Sequence, residues 1–371
     1  MHKYITDCNA HCKFKRNIIV LSRLDALGDF VLWLDSAKEY RKKYPKVKIV
    51  VICRKDTAEL AKTLDYFDKV IAVDTKKLST DLVYLLYIQG LFIKLSGSIL
   101  IQCVYSRTTI IDVVSAMIPA YSKWTIQSND GNMSREELKY GNALYDRIVD
   151  ITDKGSFELT TNAQFMRGLG FSSFKSDIPT LPNYGHCEKA IDMDYYVLVL
   201  GTGNSKRTWS TNNFAEVARY IGEKSRYTCC LLGVENEKEI GKIFEKGCKS
   251  ISIINLIGKT SIVDYIQIIR GAKFVLSGDT SAAHIAVAVR TKSVVVSGGW
   301  HYGRFLPYKT ETNHDTQYFP NVCCQKMDCY KCNLKRMPWS CKKDVIKGGK
   351  WSCIKAIKCE QVIQKLQETV L

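Results

Sequence analysis

The amino-terminal stretch MHKYITDCNAHCKFKRN lacks an apolar core, so no signal peptide is read there. No apolar run is long enough to span a bilayer. The most apolar, LVYLLYIQGLFIKLSGSILI at 82–101, is interrupted by Gln89, Gly90, Lys94 and a Ser-Gly-Ser turn. It reads as a buried helix followed by a core strand. No G-x-x-x-x-G-K-[ST] occurs, which excludes a Walker A phosphate loop. Acids are in short supply: 37 Asp and Glu against 54 Lys and Arg, a formal net charge of +17. Such an excess suits an anionic partner, whether phosphorylated ligand, membrane surface or nucleic acid, or else reflects a lysine-rich proteome. With no export signal, a cytosolic, reducing compartment is expected. There the 15 cysteines are thiols or metal ligands rather than disulfides.

What is present is a folded composition, 46% hydrophobic and 25% charged, in a 371-residue chain too long for one ordinary core. Strand and helix patterns alternate twice. The first series runs IIVLSRL, helix 29–43, VKIVVICR, helix 56–67, KVIAVD, helix near 79–95, SILIQCVY, helix 108–118 and KWTIQ. The strands are short Val- and Ile-rich runs and the helices amphipathic. A less regular segment follows, and SDIPTLPNYGH (176–186) reads as an interdomain linker. The alternation then restarts with DYYVLVLGTG, helix 210–225, RYTCCLLGV, helix 235–248, ISIINLIG, helix 261–271, KFVLSGD, helix 280–290 and SVVVSGG. The fold class is therefore α/β, with two Rossmann-like halves, each of about five parallel strands. The expected domains are 1–180, 181–320 and a cysteine-rich segment with a closing helix, 321–371.

In open α/β sheets ligands bind beyond the carboxyl ends of the strands, so the strand-to-helix loops are the places to search. Four stand out. In LSRLDALGDFVLW (21–33) a carboxylate, Asp29, follows Gly28 where a strand gives way to a helix. It is either a first-turn acid suited to the helix dipole or a group with chemistry to do. In GTGNSKRTWSTNNF (201–214), glycines let the backbone approach a ligand, Lys206 and Arg207 supply charge, and Ser210 or Thr211 caps the next helix. Cations beside helix N–H groups make an anion site, most simply for a diphosphate; the alternative is an ordinary solvated loop. In SGDTSAAHIAVAV (277–289), Asp279 ends a strand, Thr280 and Ser281 offer hydroxyls, and His284 lies on the first turn. By itself such a histidine is more often a hydrogen-bonded structural residue than a catalyst. In GVENEKE (233–239), the acids suit either ribose hydroxyls or the helix dipole.

Taken together, these residues resemble glycosyltransferase family 9, the ADP-heptose heptosyltransferases of lipopolysaccharide core assembly. The parts are R-x-x-x-x-G-D (Arg23, Gly28, Asp29), a basic residue two before a tryptophan (Arg207, Trp209), and G-x-x-x-E (Gly233, Glu237). They continue with NLIGKTSIVDYIQII at 255–269, the run from Asp279 to Ala286, and SGGWHYGRFLPY at 297–308. The resemblance covers roughly residues 17–310 in order. It implies a GT-B fold, two Rossmann-like domains facing across a cleft, with the acceptor mainly on the first and the nucleotide sugar on the second. It implies an inverting transfer of heptose from ADP-heptose to a lipopolysaccharide core, with Asp29 as catalytic base. The donor would be held by Gly28, Thr202, Lys206, Arg207, Glu237, Asp279, Thr280, Ser281 and His284. Of these, Arg207 with Lys206 would clamp the diphosphate and Glu237 would meet the ribose. No catalytic metal is expected if the cations carry the leaving charge. Ser281 stands where the family usually has glycine, and R-T-W-S where it has K-x-W-P; both departures bear on the choice of donor. The implied place is the cytoplasmic face of the inner membrane, held peripherally and electrostatically to anionic lipid. No nucleic-acid partner is expected, and the oligomeric state stays open.

Seven of the 15 cysteines fall within residues 323–359. Cys329-x-x-Cys332, followed by Cys341 and Cys353, suggests a four-thiolate structural site for zinc or iron, with free thiols or disulfides as the alternatives. Relatives that glycosylate autotransporter proteins are similar in carrying a cysteine-bound iron finger, so a protein acceptor stands beside lipopolysaccharide. A further alternative is a nucleotide-sugar binding module without catalysis.

Overall fold

A computed structural model describes residues 17–153, 157–185, 187–189, 191–324 and 351–371. The chain divides into two compact units. The break falls between Asp177 and Ile178, and Thr310–Thr312 rejoin the first unit.

In the first unit the order is β1 (Ile18–Arg23), α1 (Leu27–Lys43), β2 (Lys48–Arg54), α2 (Ala58–Lys62), β3 (Lys69–Val73), α3 (Lys77–Thr80) and α4 (Leu82–Ile93). It continues with β4 (Ile99–Gln102), α5 (Thr109–Met117), β5 (Ser122–Ile126), α6 (Arg135–Asn142), β6 (Arg147–Val149) and α7 (Glu158–Gly168). The strands pair in parallel in the order β3-β2-β1-β4-β5-β6. Central β1 and β4 are buried almost throughout, which is why they open on the apolar runs IIVL and ILI. Val20, Val50, Ile52 and Leu100 pack against Ile88, Phe92, Ile111 and Val114 from the helices.

The second unit repeats the plan: β7 (Tyr195–Val199), α8 (Thr211–Lys224), β8 (Thr228–Leu232), α9 (Lys238–Gly247), β9 (Ile253–Asn255), α10 (Ile262–Gly271), β10 (Val275–Gly278), α11 (Ser281–Ala288), β11 (Ser293–Val296) and β12 (Asn321–Cys323). Its strand order, β12-β11-β10-β7-β8-β9, is the first sheet's order renumbered. Both are doubly wound sheets with a topological switch point, between β1 and β4 in one and between β7 and β10 in the other. Two such units make the fold GT-B.

Four readings of the sequence need amendment. Each sheet has six strands, not five; the additions, β6 and β12, are three-residue edge strands. The irregular segment before the linker holds two helices, of which α6 opens on a capping box between Ser134 and Glu137. The helix expected to be buried at 82–95 is not: only Ile88 and Phe92 of α4 are fully buried, while Val83 is 78% exposed. Mean hydropathy misled here, because α4 is apolar on every side but has a neighbour on one. Finally, the described part of 321–371 does not stand apart. Helices α12 (Ser352–Lys355) and α13 (Cys359–Thr369) belong to the second unit, and Ile354, Ile357, Val362 and Leu366 lie in its core.

Candidate active site

At the first switch point the governing residue is Arg23, the last of β1 and fully buried. Its Nη1 donates to the Cys103 carbonyl at 2.6 Å, in the loop after β4. Its Nη2 lies 3.0 Å from Asp25 Oδ2 and 3.1 Å from Glu158 Oε1, and donates to the Asp29 backbone carbonyl at 3.1 Å. One guanidinium thus ties together the two loops that flank the switch point. Burial pushes the Asp25 carboxyl well above its ordinary range; Arg23 opposes this, and Asp29 and Glu158 add to it. Asp29 itself is half-buried on the first turn of α1. It is not the cap, a position taken by Ala26, which makes no side-chain capping bond. Gly28 lies beside Asp29 in the first unit, while the other residues expected to hold the donor lie in the second.

At the second switch point three loops converge. In the loop after β7, Asn204 caps a short turn by accepting from the Lys206 N–H at 3.0 Å, and Thr202 Oγ1 donates to the Asn204 carbonyl at 2.6 Å. Trp209 is buried, its indole N–H donating to the Ile357 carbonyl at 3.0 Å and its ring edge-on to Phe214. That anchor explains the pairing of a cation with a tryptophan two residues on: the ring fixes the loop and the half-buried Lys206 and Arg207 ride on it. The Trp351 N–H donates to the Lys206 carbonyl at 2.9 Å, so the closing segment props the same loop.

Arg207 Nη1 lies 3.6 Å from Asp279 Oδ2, just beyond β10. Between them sits His301, from the loop after β11, with Nδ1 2.5 Å from Asp279 Oδ2. Arg207 Nη1 is 2.8 Å from His301 Nδ1 and 3.2 Å from Nε2. With Nδ1 protonated, the ring donates to Asp279 and its Nε2 accepts from Arg207; the other neutral tautomer would set a lone pair against the carboxylate. Burial alone would raise the Asp279 pKa, but His301, Arg207 and His284 outweigh it and hold the carboxyl at about 2.

Thr280 caps α11, its hydroxyl accepting from the Ala282 N–H at 3.3 Å. Ser281 is the first helical residue and half-buried. His284 is buried, its Nδ1 2.8 Å from the Tyr308 hydroxyl. Glu237 is wedged between the first two loops: a Cβ on Gly201 would stand 1.7 Å from Oε1, and one on Gly233 2.4 Å from Oε2. A side chain at either glycine would displace the Glu237 carboxylate from this position. Burial raises the Glu237 carboxyl, opposed by the Val234 N–H, which donates to Oε2 at 3.0 Å.

The second unit therefore gathers Thr202, Lys206, Arg207, Glu237, Asp279, Thr280, Ser281 and His284 on the loops after β7, β8 and β10, beside the N-termini of α8 and α11. A cation pair beside exposed helix N–H groups can hold a diphosphate. His301 and Tyr308 were passed over in the sequence. Their one signal was their place in SGGWHYGRFLPY, a segment read for its glycines and proline only. Of the four cysteines expected to bind metal, Cys329, Cys332 and Cys341 lie outside the described residues. Cys353 is buried in the second unit's core, its Sγ 3.2 Å from where a Cβ on Gly298 would stand.

Residues 169–335 match the family model for glycosyltransferase family 9 (heptosyltransferase). A curated relative, lipopolysaccharide heptosyltransferase 1 of Salmonella typhimurium, is 23% identical over 171 residues, 46% of this chain and 52% of the relative. The chain's match thus spans about half the length of that relative. Among solved structures, a family 9 glycosyl transferase from Veillonella parvula has a TM-score of 0.69 at 17% identity, covering 95% of this chain and 97% of that one. The iron-containing dodecameric heptosyltransferase TibC of enterotoxigenic E. coli, in complex with ADP-D-β-D-heptose, has a TM-score of 0.54 at 12% identity, covering 95% and 76%. The resemblance read from the motifs agrees with this match to glycosyltransferase family 9 over residues 169–335.

Proposed function

We propose that this chain is an inverting glycosyltransferase that moves heptose from ADP-heptose to a lipopolysaccharide core acceptor. The observation that carries the reading is the convergence of Arg207, His301 and Asp279 at the switch point of the unit that matches the family. Arg207 and Lys206 take the diphosphate, with the N-terminus of α11 and Thr280 beside them. Glu237 takes the ribose. Thr202, Ser281 and His284 complete the donor contacts, and Gly28 lets the chain pass closely beside Asp29.

The reaction is one displacement. The Asp29 carboxylate accepts the proton of the acceptor hydroxyl while that oxygen forms its bond to the anomeric carbon. The bond from the anomeric carbon to the diphosphate oxygen breaks on the opposite face, inverting the centre, and ADP leaves with the electron pair. Charge grows on the leaving diphosphate, where the cations and helix N–H groups stabilise it. No step needs a metal.

A second reading keeps the reaction and changes the acceptor to a protein. It is favoured by the clustered cysteines and by the likeness to iron-containing TibC. In either reading a structural zinc or iron held by Cys329, Cys332, Cys341 and Cys353 would order a segment poor in aliphatics; four thiolates leave no open position for catalysis. The chain is placed at the cytoplasmic face of the inner membrane, attached peripherally. Among the described residues no helix is long and apolar enough to cross a membrane.

A thermal-shift panel of nucleotide diphosphates and nucleotide sugars tests the donor. A ligand bound only by the folded state raises the melting temperature. ADP species should stabilise more than UDP or GDP species; a preference for UDP would overturn the donor. Product formation with ADP-heptose separates an enzyme from a binding module, and comparing lipopolysaccharide core with protein acceptors separates the two readings.

A further inference from the structure

The loops after β7 and β11 meet at one contact, with Arg207 Nη1 2.8 Å from His301 Nδ1. The residue preceding each of these two touches Trp351. The Trp351 N–H donates to the Lys206 carbonyl at 2.9 Å. The Trp351 ring lies 5.5 Å from the Trp300 ring, inclined to it at 46°. Lys206 and Arg207 are adjacent in the chain, as are Trp300 and His301, so the contacts form a closed circuit through Trp351. In an open series of contacts each loop could shift by itself. In a closed one, the spacing of Arg207 and His301 is tied to the place of Trp351.

That place is well defined. Trp351 is 5% exposed and stands just ahead of α12. Cys353 and Ile354 of α12 press on Gly298, 3.2 Å and 3.3 Å from where a Cβ there would stand, at the start of the loop that carries His301. Beyond α12 the Ile357 carbonyl accepts the Trp209 indole N–H at 3.0 Å, which holds the far end of the Lys206 loop. Residues 351–357 thus support both loops, although they lie beyond the 169–335 match to the family. The Trp351 indole N–H is buried and has no hydrogen-bond partner among the described residues. The side chain therefore acts through the packing of its ring.

We propose that Trp351 is a positioning residue of the diphosphate site. Its backbone N–H sets the Lys206 side and its ring sets the Trp300 side; the Arg207–His301 contact is the outcome. The inference rests on the reading of Lys206 and Arg207 as the diphosphate cations and deepens it. Part of the donor affinity comes from a residue that acts only through others, by holding charged groups where the ligand needs them before it arrives.

The test is isothermal titration of the full chain with ADP. Trp351→Ala should weaken ADP binding about tenfold, as expected for lost preorganisation. Trp351→Phe keeps a ring against Trp300 and gives up only an unpartnered N–H, so it should stay within about twofold of the wild type. Trp300→Ala opens the same circuit at a half-buried position and should match Trp351→Ala. In a His301→Ala background, Trp351→Ala should cost no further affinity, because the contact it sets is already gone. Leu366→Ala, in the core of the second unit but outside the circuit, should lower the melting temperature and leave ADP affinity unchanged. Undiminished affinity in Trp351→Ala, or in Trp300→Ala if the first variant does not fold, overturns the inference and leaves the diphosphate reading standing. An equal loss in Leu366→Ala, or a loss that adds to that of His301→Ala, also overturns it by showing a general effect of stability. A wild type that binds no ADP overturns the diphosphate reading and the inference with it.

Discussion

His301 stands between a buried acid and a cation, with Nδ1 2.5 Å from Asp279 Oδ2 and Nε2 3.2 Å from Arg207 Nη1. The imidazole therefore fixes where Arg207 points. His301→Ala should weaken ADP and ADP-sugar binding by about tenfold to a hundredfold, the range expected for hydrogen bonds to charged groups. Arg207→Ala should weaken binding similarly, and the double variant should be little worse than either alone, since both act through one contact set. Isothermal titration with ADP measures all three; additive losses would show that the two side chains act separately.

The same cluster sets an acid limit on stability. The Asp279 pKa is lowered to about 2, so its contribution is fully present above the unfolded value of about 3.9 and is lost as pH falls toward about 2. The contribution is about 2 kcal/mol. Denaturant melts of wild type and Asp279→Asn should differ at neutral pH, draw together below about pH 4 and converge only as pH falls to about 2.

Asp29→Asn should cut transfer by about a hundredfold to ten-thousandfold, the range of general-base contributions, and leave ADP affinity unchanged. Near-wild-type transfer would reduce Asp29 to a first-turn acid suited to the helix dipole.

Arg23→Leu leaves the buried Glu158 and Asp25 without their cation. It should destabilise the protein by about 3–5 kcal/mol. Differential scanning calorimetry should show the melting temperature falling by about 10 °C, with part of the loss recovered by adding Glu158→Gln.

Protein purified without added metal should carry close to one zinc or iron per chain by elemental analysis, and chelation should lower its melting temperature. A metal-free protein with an unchanged melting temperature would show the four cysteines to be free thiols.

The sheets were legible because β1, β2, β4, β7, β8, β10 and β11 are short, largely apolar runs that are almost wholly buried. Edge strands β6 and β12 were not, since three residues carry no periodicity. Helix α6 announced itself only through Ser134 and Glu137, a local signal outweighed by a polar, irregular context. The partner of α4 could not be read from its own residues, because exposure depends on what packs there. Asp279 and Arg207 were legible as types at strand ends. His301 was not, since its role exists only once the loops after β7, β10 and β11 meet at one switch point.

The bond from the Trp351 N–H to the Lys206 carbonyl joins positions 145 residues apart, and Trp209 donates to Ile357 across a similar stretch. During synthesis the Lys206 loop leaves the ribosome long before its supports do. A nascent chain halted short of residue 351 holds the loop's sequence without the contacts that shape it. The shape of the Lys206 loop is thus acquired late in translation, only after nearly the whole chain has emerged.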